Sequence, residues 1–146
     1  MPWIYKYKCS KCKFKLPEGW GYGFYVVNDK GERIICGHPG ERGHVFEVLG
    51  ERASILEVVR ERTGFNSNCV CLDCLHQFRA DLGEIGWSPY EGLIKEYKPR
   101  LKQEKDRREC PKCKSKNVKT ELEMVGETCP KCKEGVIEEI WTGAVS

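Results

Sequence analysis

Eight of the ten cysteines in this chain fall into four pairs of identical form, Cys9/Cys12, Cys71/Cys74, Cys110/Cys113 and Cys129/Cys132, each with two residues between the thiols. That spacing lets one tight turn aim both sulfurs at one metal ion, and two such turns close a tetrahedral four-sulfur site with no open position. Cys110-Pro111-Lys112-Cys113 and Cys129-Pro130-Lys131-Cys132 are separated by 15 residues. This matches a four-thiolate zinc site and predicts that these four cysteines share one ion, rather than forming disulfides or packing separately. The other two pairs lie 58 residues apart. They predict a second site made of Cys9, Cys12, Cys71 and Cys74, with the intervening chain as an insertion, because loop closure grows only slowly costlier with length. In the competing arrangement Cys36, His38 or Cys69 supplies one ligand of that site. The cofactor expectation is two zinc ions, with iron at the first site as the alternative, since thiolates alone do not separate the two metals.

The remaining candidates for chemistry are Cys36-Gly37-His38 with His44, Cys69 and His76. Uncommitted Cys and His can form a third metal centre or activate a thiol. The expectation is plainer: Cys36 packs as a small hydrophobe, His38 and His44 are polar loop groups, and His76 stands beside a ligand turn. The chain has no Gly-rich phosphate loop, no His-Glu-x-x-His and no nucleophile elbow, so the reading leans away from an enzyme.

The elements that must hold these turns can be read from periodicity. Trp3, Tyr5 and Tyr7 alternate with polar residues, predicting a strand that delivers Cys9 and Cys12. Residues 17–23, with three glycines between aromatics, predict a loop. Phe24–Val27 and Glu32–Cys36 flank Asn28-Asp29-Lys30-Gly31 and predict a β-hairpin. Val45–Thr63 carries apolar residues at three- and four-residue steps and predicts one amphipathic helix, with Gly64 at its C-cap. Ser88-Pro89-Tyr90-Glu91 predicts a helix start, and Pro99 its end or a kink. Val118, Thr120, Leu122 and Met124 alternate as a strand, and Val136–Trp141 predicts another.

These elements predict an α+β, metal-stabilised protein. Residues 1–99 form a main domain with the first four-cysteine site, residues 100–108 a charged linker or helix extension, and residues 109–146 a C-terminal metal module. That module is short enough to depend on its metal for folding.

The net charge of +3 is unevenly spread. Residues 1–20 carry five lysines against Glu18, and residues 101–120 carry eight basic side chains against three acidic ones, whereas the chain from 121 onward is acidic. Lys102, Lys105, Arg107, Arg108, Lys112, Lys114, Lys116 and Lys119 are the candidate phosphate contacts, with a solvated charged face as the other account. Trp20, Tyr22, Phe24 and Tyr25 can stack bases or fill a small core. The partners expected are a nucleic acid or a protein assembly. With no apolar run of spanning length, no leader pattern and thiols used as ligands, the chain is expected to be cytoplasmic and not membrane-bound.

Cys110-Pro-Lys-Cys113 and Cys129-Pro-Lys-Cys132 resemble the knuckles of zinc ribbons, and Tyr7-Lys8-Cys9-Ser10-Lys11-Cys12-Lys13-Phe14 is similar to the first knuckle of rubredoxin-like folds. The resemblance implies an insertion-bearing rubredoxin-like or zinc-ribbon domain followed by a C-terminal zinc ribbon. For zinc ribbons it implies a binding or scaffolding role in transcription, translation or RNA-processing assemblies; for rubredoxins it implies an electron-carrying iron. Family knuckles place Gly after the second cysteine, where positive φ is easily reached. Here Lys13, Leu75, Lys114 and Lys133 stand in that position.

Overall fold

A computed structural model describes residues 3–52, 54–84, 89–90 and 104–145. Ser88 and Glu91 of the expected helix start, its end at Pro99, residues 100–103 of the linker and with them the candidate contact Lys102 lie outside the described residues, while Pro89 and Tyr90 form a turn. The chain divides into two compact units, one made of Met1–Tyr22, Ser67–Ala80 and Asp106–Ser146, the other of Gly23–Asn66 and Asp81–Lys105. Mostly antiparallel sheets and a few short helices build them. No helix among the described residues is long and apolar enough to cross a membrane.

The first unit contains a three-stranded antiparallel sheet in which β1 (Trp3–Cys9) lies between β2 (Lys15–Gly19) and β8 (Ile137–Val145). The alternation seen in β1 is realised: Tyr7 and Cys9 are buried while Lys6 and Lys8 are exposed. β2 extends to Gly19, so Pro17 and Glu18 belong to a strand and not to the expected loop. Proline is tolerated there because β2 is at the edge of its sheet. β8 aligns Ile137 with Cys9, Glu139 with Tyr7 and Trp141 with Tyr5.

Also in this unit, the end of β5 (Thr63–Cys71) pairs antiparallel with β6 (Gln77–Ala80) and with β7 (Val118–Thr120), setting Val70 opposite Gln77 and Cys71 opposite Val118. The strand expected through Met124 stops at Thr120, where the short helix α3 (Glu121–Met124) begins. The reason is a capping box: the Glu123 N–H donates to Thr120 Oγ1 at 3.2 Å and the Thr120 N–H to Glu123 Oε1 at 3.0 Å. Tyr7, Phe14, Leu16, Val70, Met124 and Ile137 close the core together with Cys9 and Cys129.

The second unit contains the predicted hairpin, β3 (Tyr22–Val27, in this unit from Gly23 on) and β4 (Arg33–Ile35), with Val26 opposite Ile34. Asn28 Oδ1 accepts from the N–H groups of Lys30 and Glu32, which folds the turn. The single helix expected over Val45–Thr63 is instead α1 (Glu41–Leu49), a tight turn over Gly50–Arg52, α2 (Ile55–Glu57) and a wider turn over Val58–Arg62. Gly50, at φ 69°, ends the first helix, and Ser54 caps the second by accepting from the Glu57 N–H at 3.2 Å. Gly64 is not a C-cap but part of β5, and a Cβ there would lie 2.3 Å from Asp81 Oδ2 and 2.5 Å from the Tyr25 hydroxyl oxygen. Those two groups share a buried 2.6 Å hydrogen bond, donated by Tyr25.

Candidate metal centres

Each Cys-x-x-Cys pair sits in a turn closed by its own backbone. The N–H of the leading cysteine donates across the turn: Cys9 to Phe14 O (2.9 Å), Cys71 to His76 O (2.9 Å), Cys110 to Ser115 O (2.8 Å) and Cys129 to Gly135 O (2.8 Å). In three turns the residue after the second cysteine bonds back to the leading carbonyl, Leu75 to Cys71, Lys114 to Cys110 and Lys133 to Cys129, at 2.9 to 3.0 Å. Those three residues adopt φ of 65°, 63° and 64°. The knuckle conformation that normally uses glycine is thus kept by side-chain-bearing residues, at a cost of about 1 kcal/mol each.

The four turns assemble into two clusters, and the pairing is not the one expected from spacing. Cys9 and Cys12 join Cys129 and Cys132, while Cys71 and Cys74 join Cys110 and Cys113; in each set the sulfurs lie within 4.8 Å of one another. The sites are nested, with the inner one formed between the two halves of the outer one along the chain. The correction has a physical reason in strand pairing. β1, which enters the Cys9 turn, is hydrogen-bonded to β8, which leaves the Cys129 turn. β5, which enters the Cys71 turn, is hydrogen-bonded to β7, which follows the Cys110 turn, and the Leu72 N–H donates to Asn117 O at 2.8 Å. The 15 residues between Cys113 and Cys129 are spent on β7 and α3 instead of returning to the same ion. The missed signal is weak because all four pairs are alike; what distinguishes them is which strands flank them, and Lys8 of β1 facing Glu138 of β8 is one trace of that complementarity.

Closest sulfur separations are 3.6 Å for Cys9–Cys132, 3.7 Å for Cys12–Cys129, 3.5 Å for Cys71–Cys113 and 3.6 Å for Cys74–Cys110. Four thiolates about 2.3 Å from a tetrahedral zinc are about 3.8 Å apart, whereas a disulfide requires about 2.05 Å. All ten cysteines are unbridged. The donor sets therefore fit a metal ion in each cluster, in the manner of a zinc-ribbon-like site.

Electrostatics also favour a cation. The backbone N–H groups of Gly135 and Glu134 draw Cys132 down to about 6. Burial opposes ionisation of Cys110, but the Cys113 and Lys112 N–H groups bring it to about 7. Their neighbours go the other way: despite the N–H of Phe14, burial and the adjacent sulfurs push Cys12 up to about 11, and despite the N–H of Ser115 the same causes push Cys113 up to about 12. Each cluster thus pairs a sulfur that ionises readily with one that holds its proton. A bound cation supplies the charge that lets all four ionise together.

The two centres share a wall. Leu72 and Leu75, from the Cys71 turn, pack against the core cluster that contains Cys9 and Cys129 and that also receives Cys12 and Cys132. This contact accounts for Leu75 at a glycine position, since its side chain is used in packing. The centres differ in exposure: Cys12 and Cys132 are half-buried, but Cys113 of the inner centre is exposed.

None of Cys36, His38, His44, Cys69 and His76 belongs to either cluster. Cys36 is 5% exposed. Burial, with Glu41 nearby, pushes its thiol up to about 11. His38 Nδ1 contacts Glu41 Oε1, His44 Nδ1 accepts from the Gly37 N–H at 3.3 Å, and Cys69 donates to Ser67 O at 3.4 Å. His76 stacks on Phe78, with ring centroids 5.9 Å apart.

The basic candidates are used in different ways. Lys105 Nζ donates to Thr63 O. Arg108 donates to Val118 O at 2.9 Å and to Glu123 at 2.8 Å, and Lys119 lies 3.8 Å from Glu127. Arg107, Lys112, Lys114 and Lys116 are exposed. Of the aromatics proposed for stacking, Phe24 and Tyr25 are buried in the second unit, whereas Trp20 and Tyr22 remain half-exposed in the first. Compared with known proteins, the chain matches no family model, and no curated protein or solved structure is significantly similar to it.

Proposed function

We propose that this chain is a zinc-binding, non-enzymatic binding or scaffolding module of zinc-ribbon character, in which two tetrathiolate ions fix surfaces that meet a nucleic acid or a protein assembly. The observation that carries this reading is the closed donor set of each cluster, four cysteine sulfurs around one point. A fully thiolate-ligated ion has no position left for water or substrate, so the metal stabilises and shapes without reacting. The high, buried Cys36 thiol does not suit a nucleophile. Elemental analysis together with an absorption spectrum of the purified chain tests the reading: two zinc ions per chain and no visible colour are expected, and a loosely held or absent metal would overturn it.

A rubredoxin-like electron carrier is the second reading, with iron at the Cys9/Cys12 centre. In its favour, N–H groups of Lys11, Cys12, Phe14 and Gly135 point at the sulfurs of that centre at 3.3 to 3.4 Å. Hydrogen bonds to ligand sulfur tune the potential of an iron site. A red protein that bleaches reversibly on reduction would establish it in place of zinc.

A further inference from the structure

Loading both centres changes which basic residues are available. A divalent ion with four thiolates carries a net charge of −2, and lysines surround these turns: Lys11, Lys13, Lys131 and Lys133 at the outer centre, Lys112 and Lys114 at the inner one. Each stands between or directly after the ligand cysteines of its turn, so a loaded centre would offset part of its charge. Lys105, Arg108 and Lys119 are engaged with partners inside the fold. Of the described lysines in neither class, three stand together on the β1–β2 hairpin, while Lys30 lies in the β3–β4 turn and Lys116 before β7.

Lys6 and Lys8 alternate with buried Tyr7 and Cys9 in β1, so they share the outer face of the sheet. Lys15 of β2 is directly opposite Lys8 and lies on the same face. All three are exposed, and none makes an ion pair with a described residue. Like charges directly opposite across a ladder destabilise a hairpin. Glu138, opposite Lys8 on the other side, offsets part of this without closing an ion pair. Along β1 the two lysines are about 6.8 Å apart, and Lys8 and Lys15 have Cβ atoms about 5 Å apart. The result is a compact triangle of ammonium groups on an open sheet face. The apolar side chains beside it, Ile4 and Ile140, are half-buried and offer little to a lipid phase.

We infer that Lys6, Lys8 and Lys15, on the outer face of the β1–β2 hairpin, form the surface that binds the phosphate backbone of a nucleic acid. The inference rests on the nucleic-acid branch of the function proposed above, and it moves the contact from residues 102–119 to the N-terminal hairpin. Neutralising three phosphates predicts affinity for a single strand that falls roughly twenty-fold between about 50 and 200 mM salt.

The test uses the full metal-loaded chain and fluorescence anisotropy with a labelled mixed-sequence single-stranded RNA and a duplex DNA of equal length. The variant K6E/K8E/K15E is expected to bind at least about ten-fold more weakly, K6Q/K8Q/K15Q to fall in between, and R107E/K116E to change by less than about three-fold. Metal content and circular dichroism serve as fold controls, and the Gln variant decides the matter if the Glu variant does not fold. RNA and duplex arms report which form supplies the phosphates, and loss of binding to either in the hairpin variants supports the inference. If the R107E/K116E variant loses binding and the hairpin variants keep it, the inference falls while the nucleic-acid reading stands. If the native chain binds neither nucleic acid at low salt, both fall, and capture by phosphatidylserine vesicles alone would reassign the lysines to a membrane surface.

Discussion

Cys9 and Cys132 are 123 residues apart in the chain, yet their sulfurs lie 3.6 Å from each other. The metal centre they share closes nearly the whole chain into a loop, and the second centre closes a smaller loop inside it. This nesting makes β1 and β8 neighbours and gives the first unit its core.

Paired serine substitutions distinguish nested from sequential sites. Cys9→Ser with Cys129→Ser removes two ligands of the same centre, so that variant is expected to retain one metal ion per chain. Cys9→Ser with Cys71→Ser damages both centres and is expected to retain none. Metal analysis of the two variants gives opposite answers if the sites follow spacing alone.

Gly135 is a second point of control. A Cβ at this position would lie 2.4 Å from Cys9 Sγ and 3.1 Å from the Lys11 nitrogen. Gly135→Ala is therefore expected to displace a ligand and weaken the outer centre by roughly 10- to 100-fold, the range found when the surroundings of a metal ligand are disturbed. Competition with a chromophoric chelator measures this, with the inner centre as the internal reference.

Leu75 couples the centres. Because its side chain packs on the core that holds the outer ligands, filling one site stabilises the other, and the two ions are expected to leave together as chelator is added. Leu75→Gly relaxes a backbone at φ 65°, worth about 1 kcal/mol. It also removes the packing of a half-buried leucine, worth roughly 1.5 to 3 kcal/mol at full burial and a share of that here, and adds the backbone entropy of a glycine. The variant is expected to be net destabilised and to release its ions in two steps. A variant more stable than the native chain would show that the leucine carries no coupling.

Cys36 gives a pH signature in the second unit. Its folded value of about 11 lies above the unfolded value near 8.5. For such an acid the folded state holds the proton more tightly, so the stabilisation is full below about pH 8.5 and is lost as pH rises toward 11. The stability gap between the native chain and Cys36→Ala, read from urea midpoints, is expected to narrow across that window. A gap constant from pH 7 to 11 would contradict the assignment.

Much of this was legible in the residues. The Asn28–Gly31 turn, the alternation of Trp3, Tyr5 and Tyr7, and the strand near Val136 are local patterns, and local patterns survive folding. The eight cysteines that form the clusters were legible for the same reason. Their partners were not, because four equivalent turns offer several pairings and only strand contacts between distant segments choose among them. The single helix that the apolar spacing over Val45–Thr63 predicts does not form, because Gly50 and Ser54 interrupt the backbone that would carry it. At Thr120 a cap with Glu123 prevailed over an alternating pattern that ran on to Met124.

Nesting also sets an order of events during synthesis. Once Cys113 has left the ribosome, the inner centre has all four of its sulfurs and can take an ion before Cys129 and Cys132 have emerged. The outer centre must wait for Cys132, and until then β1 lacks β8 and leaves one edge unpaired. The nascent chain thus passes through a stage with one ion at most, in which Cys9 and Cys12 are open thiols. In that interval a supplied ion can enter only the inner centre, and the first unit closes when Cys132 completes the outer one.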